Sequence, residues 1–185
     1  MAGRFPRIET QRLRLRPPRE TDLDNWAVTV FGDPEVVRYM PKRDMTPRVR
    51  AERAKAVYDG LWEKHGFGGW LITQKMTGAL VGHCELEYLE ETDEVELGYA
   101  LGRAHWGKGV ATEAARAAVR LGFEAAGLSR IMAVVVPENV ASYRVLEHIG
   151  FAYEETARYY DLEVVYYSIT PGQFQHEDSL FRVTR

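Results

Sequence analysis

Residues Glu94 to Ala115 read EVELGYALGRAHWGKGVATEAA. Val95 to Leu101 places an apolar residue at every second position, the period of a half-buried strand. Gly107, Lys108 and Gly109 follow, and then an alanine-rich run with the character of a helix. A strand that turns through glycines into a helix aims bare N–H groups and the positive end of the helix dipole at one point, which suits a phosphate. Glycine lets the backbone come close to the anion because no Cβ stands in the way. The stretch therefore reads as the binding site of a phosphate-bearing cofactor.

Two well-known phosphate loops fail here. Gly102 to Lys108 matches most of G-x-x-x-x-G-K-[ST], but Gly109 occupies the hydroxyl position that would ligate Mg²⁺. The dinucleotide fingerprint G-x-G-x-x-G, started at Gly107, needs a third glycine where Thr112 stands. Glycines that only make a tight turn are the plain alternative, made less attractive by Trp106 and by the cap-free start of the helix.

Outward from this loop the chain alternates element types. Arg12 to Arg16 alternates Arg and Leu and reads as a strand, its arginine face a solvated edge. Thr21 before Asp22 and Asp24 marks a helix start, with Trp26, Val30 and Phe31 as its apolar face. Asp33-Pro34 and Thr46-Pro47 open two more helices, the second running to about His65 and broken at Gly66. Trp70 to Gln74 and Leu80 to Tyr88 flank a Thr77-Gly78 turn, a hairpin signal. A helix over residues 110–126 stops before Gly127. Ile131 to Val136 is continuously apolar, as in a strand buried on both faces. A short helix stops at Gly150, and Glu163 to Thr170 reads as the last strand. The segment from Pro171 is polar without a period. This order predicts an α/β (α+β) fold with a mixed, mostly antiparallel central sheet of about six to seven strands flanked by helices.

The 185 residues suit a single domain over 1–185, with a core of about 8–170 and a polar tail over 171–185. Hydrophobic residues make up 45% and charged residues 28%, enough apolar content for a full core. A net charge of −3 argues against a nucleic-acid partner. No apolar run reaches the roughly 20 residues of a membrane span. Met-Ala-Gly-Arg-Phe-Pro lacks the apolar centre of a signal peptide, and one cysteine excludes an internal disulfide, so a cytoplasmic location is expected.

The motifs together resemble a family. Glu96-Leu-Gly-Tyr99…Trp106-Gly107-Lys108-Gly109-Val-Ala-Thr-Glu113-Ala looks like the cofactor motif of GNAT N-acetyltransferases, and more closely of their Rim-type branch, which includes acetylators of ribosomal-protein N-termini. Ile8-Glu9-Thr10-Gln-Arg12-Leu13-Arg-Leu15-Arg16 with Asp33-Pro34-Glu35-Val36 is similar to the opening of that branch. Pro137-Glu-Asn139-Val-Ala-Ser142…Leu146-Glu147…Gly150-Phe151 is similar to its closing motif. The resemblance implies acetyl-CoA as co-substrate and no metal. Its pyrophosphate would rest on Gly107, Lys108, Gly109, Val110 and Ala111, beside Trp106. Its pantetheine arm would run beside Tyr99, Ala100 and Leu101, where the strands 95–101 and 131–136 splay apart after a bulge. Asn139 and Ser142 would contact the pantetheine or sulfur end. The family often places Gln or Arg three residues before the first glycine; here that residue is Ala104, with Arg103 and Lys108 as other sources of charge.

Acetyl transfer to an amine needs a base, because only the neutral amine attacks, and the departing thiolate benefits from an acid. Nothing in the chain suggests a covalent relay, so transfer is expected to be direct. The resemblance makes Glu96 the candidate base, with Glu85 and Glu87 as alternatives; a solvated strand face remains the other reading of all three. Many family members carry a tyrosine acid four residues before the Gly-Phe pair, where this chain has Leu146. Ser142 matches a serine suggested for that role in the Rim-type branch, and capping the helix is its plainer use. Tyr143 is expected in the core. Tyr159, Tyr160, Tyr166 and Tyr167 are candidates to line an acceptor pocket, with some of their faces in the core. The acids at 85, 87, 90, 91, 93, 94 and 96 would attract a cationic acceptor or merely solubilise a hairpin. Cys84 reads as a buried strand residue and Trp106 as packing under the loop. The histidines at 65, 83, 105, 148 and 176 lack metal-ligand spacing. The acceptor is a protein N-terminus or a small amine; a non-catalytic acyl-CoA-binding or regulatory domain is the alternative. A homodimer is expected from base rates alone.

Overall fold

The computed structural model describes residues 5–41, 44–175 and 180–184. Its strands are β1 (Arg7–Glu9), β2 (Leu13–Arg16), β3 (Gly69–Gln74), β4 (Leu80–Leu89), β5 (Glu94–Leu101), β6 (Ile131–Val135), β7 (Ala152–Tyr159), β8 (Leu162–Ile169) and β9 (Arg182–Thr184). Its α-helices are α1 (Leu23–Trp26), α2 (Pro34–Val37), α3 (Pro47–His65), α4 (Val110–Glu124) and α5 (Val140–Ile149). The nine strands form one sheet in the order β7-β8-β6-β5-β4-β3-β2-β1-β9. Every pairing is antiparallel except β5 with β6. A parallel pair needs a crossover, and α4 supplies it.

Among the described residues the sheet has nine strands rather than the six or seven expected, and three of them left no signal in the sequence. β7 is solvent-exposed along most of its length, so it carries no alternating apolar signal. β1 and β9 have three residues each, too short to show a period. The segment after Pro171 is also less detached than its polarity suggests. Phe174 is buried in the main core, and Arg182–Thr184 pairs with β1.

The helix starts follow the sequence with one correction. Asp33 accepts from the Glu35 N–H at 3.0 Å, and Thr46 from the Val49 N–H at 3.3 Å, each before a proline in the first turn. Gly66 ends α3 at φ +74°, a conformation glycine adopts without strain. Thr21 caps nothing. Asp22 instead accepts from the Arg19 N–H and from both ends of the Arg16 guanidinium, all at 2.7 Å. Arg16 is thus bound bidentately rather than solvated. Helix α1 then widens into a π-helical stretch, Ala27–Phe31.

The two faces of the sheet bury different helices. On one, α4 and α5 pack Ala114, Ala118, Val119 and Ile149 against Leu86, Leu97 and Ile131. Small residues set the spacing: a Cβ on Gly122 would stand 2.9 Å from Ile131 Cδ1 and 3.0 Å from Leu86 Cδ1. That closeness seats the last turn of α4 directly on β4 and β6. On the other face, Leu23, Trp26, Tyr58 and Leu61 from α1 and α3 cover Leu71 and Ala100. Among the described residues, no helix is long and apolar enough to cross a membrane.

Candidate active site

Parallel pairing of β5 with β6 is confined to Glu96 opposite Met132, so the strands part beyond it toward Leu101. The bulge expected in β5 is not what parts them. β4 and β5 keep an unbroken register from Gly82–Leu101 to Leu89–Glu94. A cleft of ≈ 1590 Å³ occupies the opening and is lined at one end by Gly107, Gly109 and Ala111 and at the other by Glu85, Glu87, Glu96 and Tyr160. Tyr99, Ala100, Leu101, Asn139 and Ser142 line it between.

The glycine loop has the form of an anion cradle. Gly107 lies at φ +69° and Gly109, the N-cap of α4, at φ +71°. The first helical bond is Glu113 N–H to the Gly109 carbonyl at 3.1 Å. The N–H groups of Val110, Ala111 and Thr112 precede it and point out of the helix end. No side chain caps them. Sequence reading missed what fixes the loop. Glu113 accepts from Thr10 Oγ1 at 2.5 Å, the Arg12 N–H at 2.9 Å and Arg12 Nε at 2.6 Å. Arg12 Nη1 in turn donates to the Lys108 carbonyl at 2.9 Å. Arg12 precedes β2 and clamps the loop while its side chain stays 51% exposed. Arg14 pairs with Glu9 at 3.0 Å.

Neighbours of the loop differ from expectation. Trp106 does not pack beneath it: the residue is 45% exposed, and its ring N–H donates to the Leu101 carbonyl at 2.8 Å. Lys108 Nζ donates to the Ala104 carbonyl at 2.7 Å, and Arg103 pairs with Asp33 at 3.3 Å. The Nδ1 of His105 is a buried polar atom without a partner among the described residues, and His105 lines the cleft. A cofactor with acceptor oxygens fits the uncapped N–H groups at the start of α4.

At the middle of the cleft, the Tyr99 hydroxyl lies 2.7 Å from Ser142 Oγ. Burial raises the Tyr99 hydroxyl's pKa, so it stays protonated. Ser142 Oγ is therefore linked to a second hydroxyl, a partner invisible in the sequence because 43 residues separate the two. The Asn139 side chain caps α5 by accepting from the Ser142 N–H at 3.3 Å. Leu146 is fully buried, and Tyr143 packs against the core and Tyr167.

The far end is acidic. Glu87 stands directly opposite Glu96, and Glu85 opposite Gly98. Glycine leaves room for that carboxylate: a Cβ on residue 98 would lie 2.3 Å from Glu85 Oε1 and would make the side chain shift. Glu96 is half-buried; burial drives its pKa up to about 7, against a hydrogen bond from the Tyr160 hydroxyl and reinforced by Glu87. Burial pushes Glu85 up to about 8, against a 2.9 Å hydrogen bond from the Tyr58 hydroxyl. His83 is buried and lowered to about 3 by burial. Its Nδ1 accepts from Trp26 Nε1 at 2.9 Å, which leaves the proton on Nε2, 3.8 Å from Glu85 Oε2.

Glu85 ties stability to pH. Below its ordinary pKa of 4.5 both folded and unfolded chains hold the proton; between there and about 8 only the folded chain does. Its contribution is therefore full at low pH and lost as pH rises through about 8. Glu85→Gln is expected to raise the thermal midpoint at pH 8.5 by about 2–12 °C, from roughly 1–3 kcal/mol of relieved desolvation. The difference should vanish near pH 4.5. Calorimetric melts at both values check this, and an unchanged midpoint at pH 8.5 would contradict a buried charge there.

The remaining candidates separate. Of the acids, Glu90 pairs with Lys64, Asp93 accepts from Tyr88, and Glu94 accepts from Tyr159 and Tyr166. These four partners do not face the acceptor end; among the four tyrosines named from sequence, Tyr160 alone lines the cleft. Cys84 is buried. His65 stacks on Phe67 and Tyr88, and His148 Nδ1 lies 2.5 Å from the Arg144 carbonyl. His176 lies outside the described residues.

The known proteins like this chain carry the same architecture. The Acetyltransferase (GNAT) domain signature matches residues 12–152. The chain belongs to the GNAT acetyltransferase family. The Bacillus subtilis (strain 168) N-acetyltransferase YoaA, itself uncharacterized, is 35% identical over 158 residues, 84% of this chain and 88% of that one. The crystal structure of an acetyltransferase from Agrobacterium tumefaciens str. C58 aligns with a TM-score of 0.79 at 27% identity, over 89% of this chain and 94% of that one. Mycobacterium smegmatis RimJ, solved in complex with CoA-disulfide, shares the fold with a TM-score of 0.78 at 24% identity, over 91% of this chain and 90% of that one. The GNAT chain is an acyltransferase enzyme.

Proposed function

We propose that this GNAT enzyme moves an acetyl group from acetyl-CoA directly to a primary amine, either a protein N-terminus or a small-molecule amine. One observation carries the reading. The parting of β5 and β6 joins a left-handed glycine cradle and a carboxylate cluster through a single cleft. RimJ, which shares the fold and was solved with CoA-disulfide, supports the reading of this cleft as a CoA site.

Acetyl-CoA supplies the activated acyl group. The loop N–H groups of residues 107–111 hold its pyrophosphate, with Trp106 and Lys108 at the rim. The β5 edge at Tyr99, Ala100 and Leu101 aligns the arm, and Asn139 holds α5 in place behind it. A lysine-like amine is less than ~0.1% neutral at pH 7, and an α-amine about a tenth neutral, so the acceptor arrives protonated. Glu96 takes that proton. The amine nitrogen bonds to the acyl carbon, the carbon–sulfur bond breaks, and Ser142, backed by Tyr99, delivers a proton to the thiolate. A group ionising near 7 suits the base role because it is both ionised and basic at neutral pH.

Calorimetric titration with acetyl-CoA, beside Mg-ATP, tests the cofactor. A free-thiol assay with peptides bearing free N-termini and with polyamines then tests the acceptor. Saturable acetyl-CoA binding with amine-dependent thiol release is expected. Binding of Mg-ATP in its place would refute the cofactor assignment.

A further inference from the structure

Glu96 makes a contact that the transfer chemistry has not used. Tyr160 and Asp161, at the tip of the β7–β8 hairpin, lie at φ +54° and +61°. Two consecutive left-handed residues are the geometry of a tight primed hairpin turn, which Asn-Gly adopts readily and Tyr-Asp does not. The strained turn folds its tyrosine back toward the sheet, and the hydroxyl donates to Glu96 Oε2 across 64 residues of chain. The hairpin is anchored beside it: Tyr159 donates to Glu94 Oε2 at 2.8 Å, and Tyr166 donates to Glu94 Oε1. Tyr160 remains 46% exposed, so its ring sits at the cleft mouth rather than in the core.

We infer that Tyr160 is a positioning residue for Glu96, its hydroxyl holding the carboxyl toward the acceptor end of the cleft and stabilising its ionised form. The inference rests on Glu96 as base. The groups around Glu96 explain why such a donor is needed. β4 presents Glu85 and Glu87, and β5 adds Glu94. Tyr159 adds a neutral hydroxyl from the hairpin, and Tyr58 on α3 reaches Glu85. Among the described residues, Tyr160 and the Val134 backbone on β6 are the groups that favour the ionised form of Glu96. Tyr160 itself is held protonated by burial and by Glu96, so it acts as a donor only.

The test is a carbon-13 NMR titration of the full chain labelled at the glutamate carboxyl carbons, with Glu96→Gln to assign the signal. Tyr160→Phe removes the hydroxyl and keeps the ring. Tyr160→Asn also removes it and suits the left-handed backbone better. In both, the Glu96 midpoint should rise by about one pH unit, and the acid limb of kcat/KM for the amine that gives thiol release should rise equally. An unmoved NMR midpoint in both variants overturns the positioning role. A moved midpoint beside an unmoved kinetic limb overturns Glu96 as base, while leaving the contact itself intact.

Discussion

Gly109→Val is expected to weaken acetyl-CoA binding by about 100-fold or more, with the far-ultraviolet circular dichroism spectrum unchanged. The backbone at Gly109 lies at φ +71°. A side chain there costs roughly 1–2 kcal/mol for an ordinary residue and more for a β-branched one. Space is not the obstacle: the nearest atom to an added Cβ is Arg12 Nη2 at 3.4 Å. The strain is torsional, and the chain relieves it by rotating the peptide planes on either side. Those planes carry the N–H groups that begin α4, so relief turns the anion donors away from the cleft. Arg12 resists the rotation through the Lys108 carbonyl, so the loop cannot recover by a rigid shift. A loss of about 2.7 kcal/mol corresponds to the expected 100-fold. Gly127→Val is the matching control. Gly127 also lies at a positive φ, +69°, but beyond the other end of α4. It should lose comparable stability and keep its affinity. Equal affinity in both variants, read by calorimetry, would place the pyrophosphate elsewhere.

What could be read from the sequence was whatever depends on neighbours along the chain. The glycine loop, the helix caps at Asp33 and Thr46, and the buried strand expected at residues 131–136 and seen at 131–135 all follow from local pattern. The cap of α5 is Asn139 and not Ser142, the residue expected to cap it. Contacts between distant residues leave no such trace. The Thr10–Arg12–Glu113 clamp spans about a hundred residues, and no periodicity links its parts. Tyr99 reads as an apolar strand position until its hydroxyl is seen beside Ser142. β7 was missed for a different reason. It is an exposed edge strand held by backbone pairing to β8, so it needs no apolar face to declare itself. The acids from Glu85 to Glu96 look alike in sequence, and only the register of β4 on β5 separates those facing the cleft from those tied to the hairpins.

That separation makes Glu96→Gln decisive. The variant is expected to lower kcat/KM for the amine by about 10²–10⁴-fold, the usual worth of a positioned base. The wild-type rate should rise with pH through about 7, where Glu96 loses its proton, because the carboxylate is the active form. In Glu96→Gln that limb should disappear, leaving a shallow rise set by the acceptor's own ionisation. Affinity for acetyl-CoA should stay as it was, since the glycine cradle lies at the opposite end of the cleft. Glu85 is the competing base, and its properties predict a different profile. It is pushed up to about 8, accepts from Tyr58 and lies against Gly98, so a limb owned by Glu85 would sit about one unit higher. Kinetic profiles of the two glutamine variants decide between them. If Glu85→Gln loses the limb and Glu96→Gln keeps it, the roles exchange. If both keep it, neither carboxylate takes the proton, and a water path from the acceptor to solvent must do so.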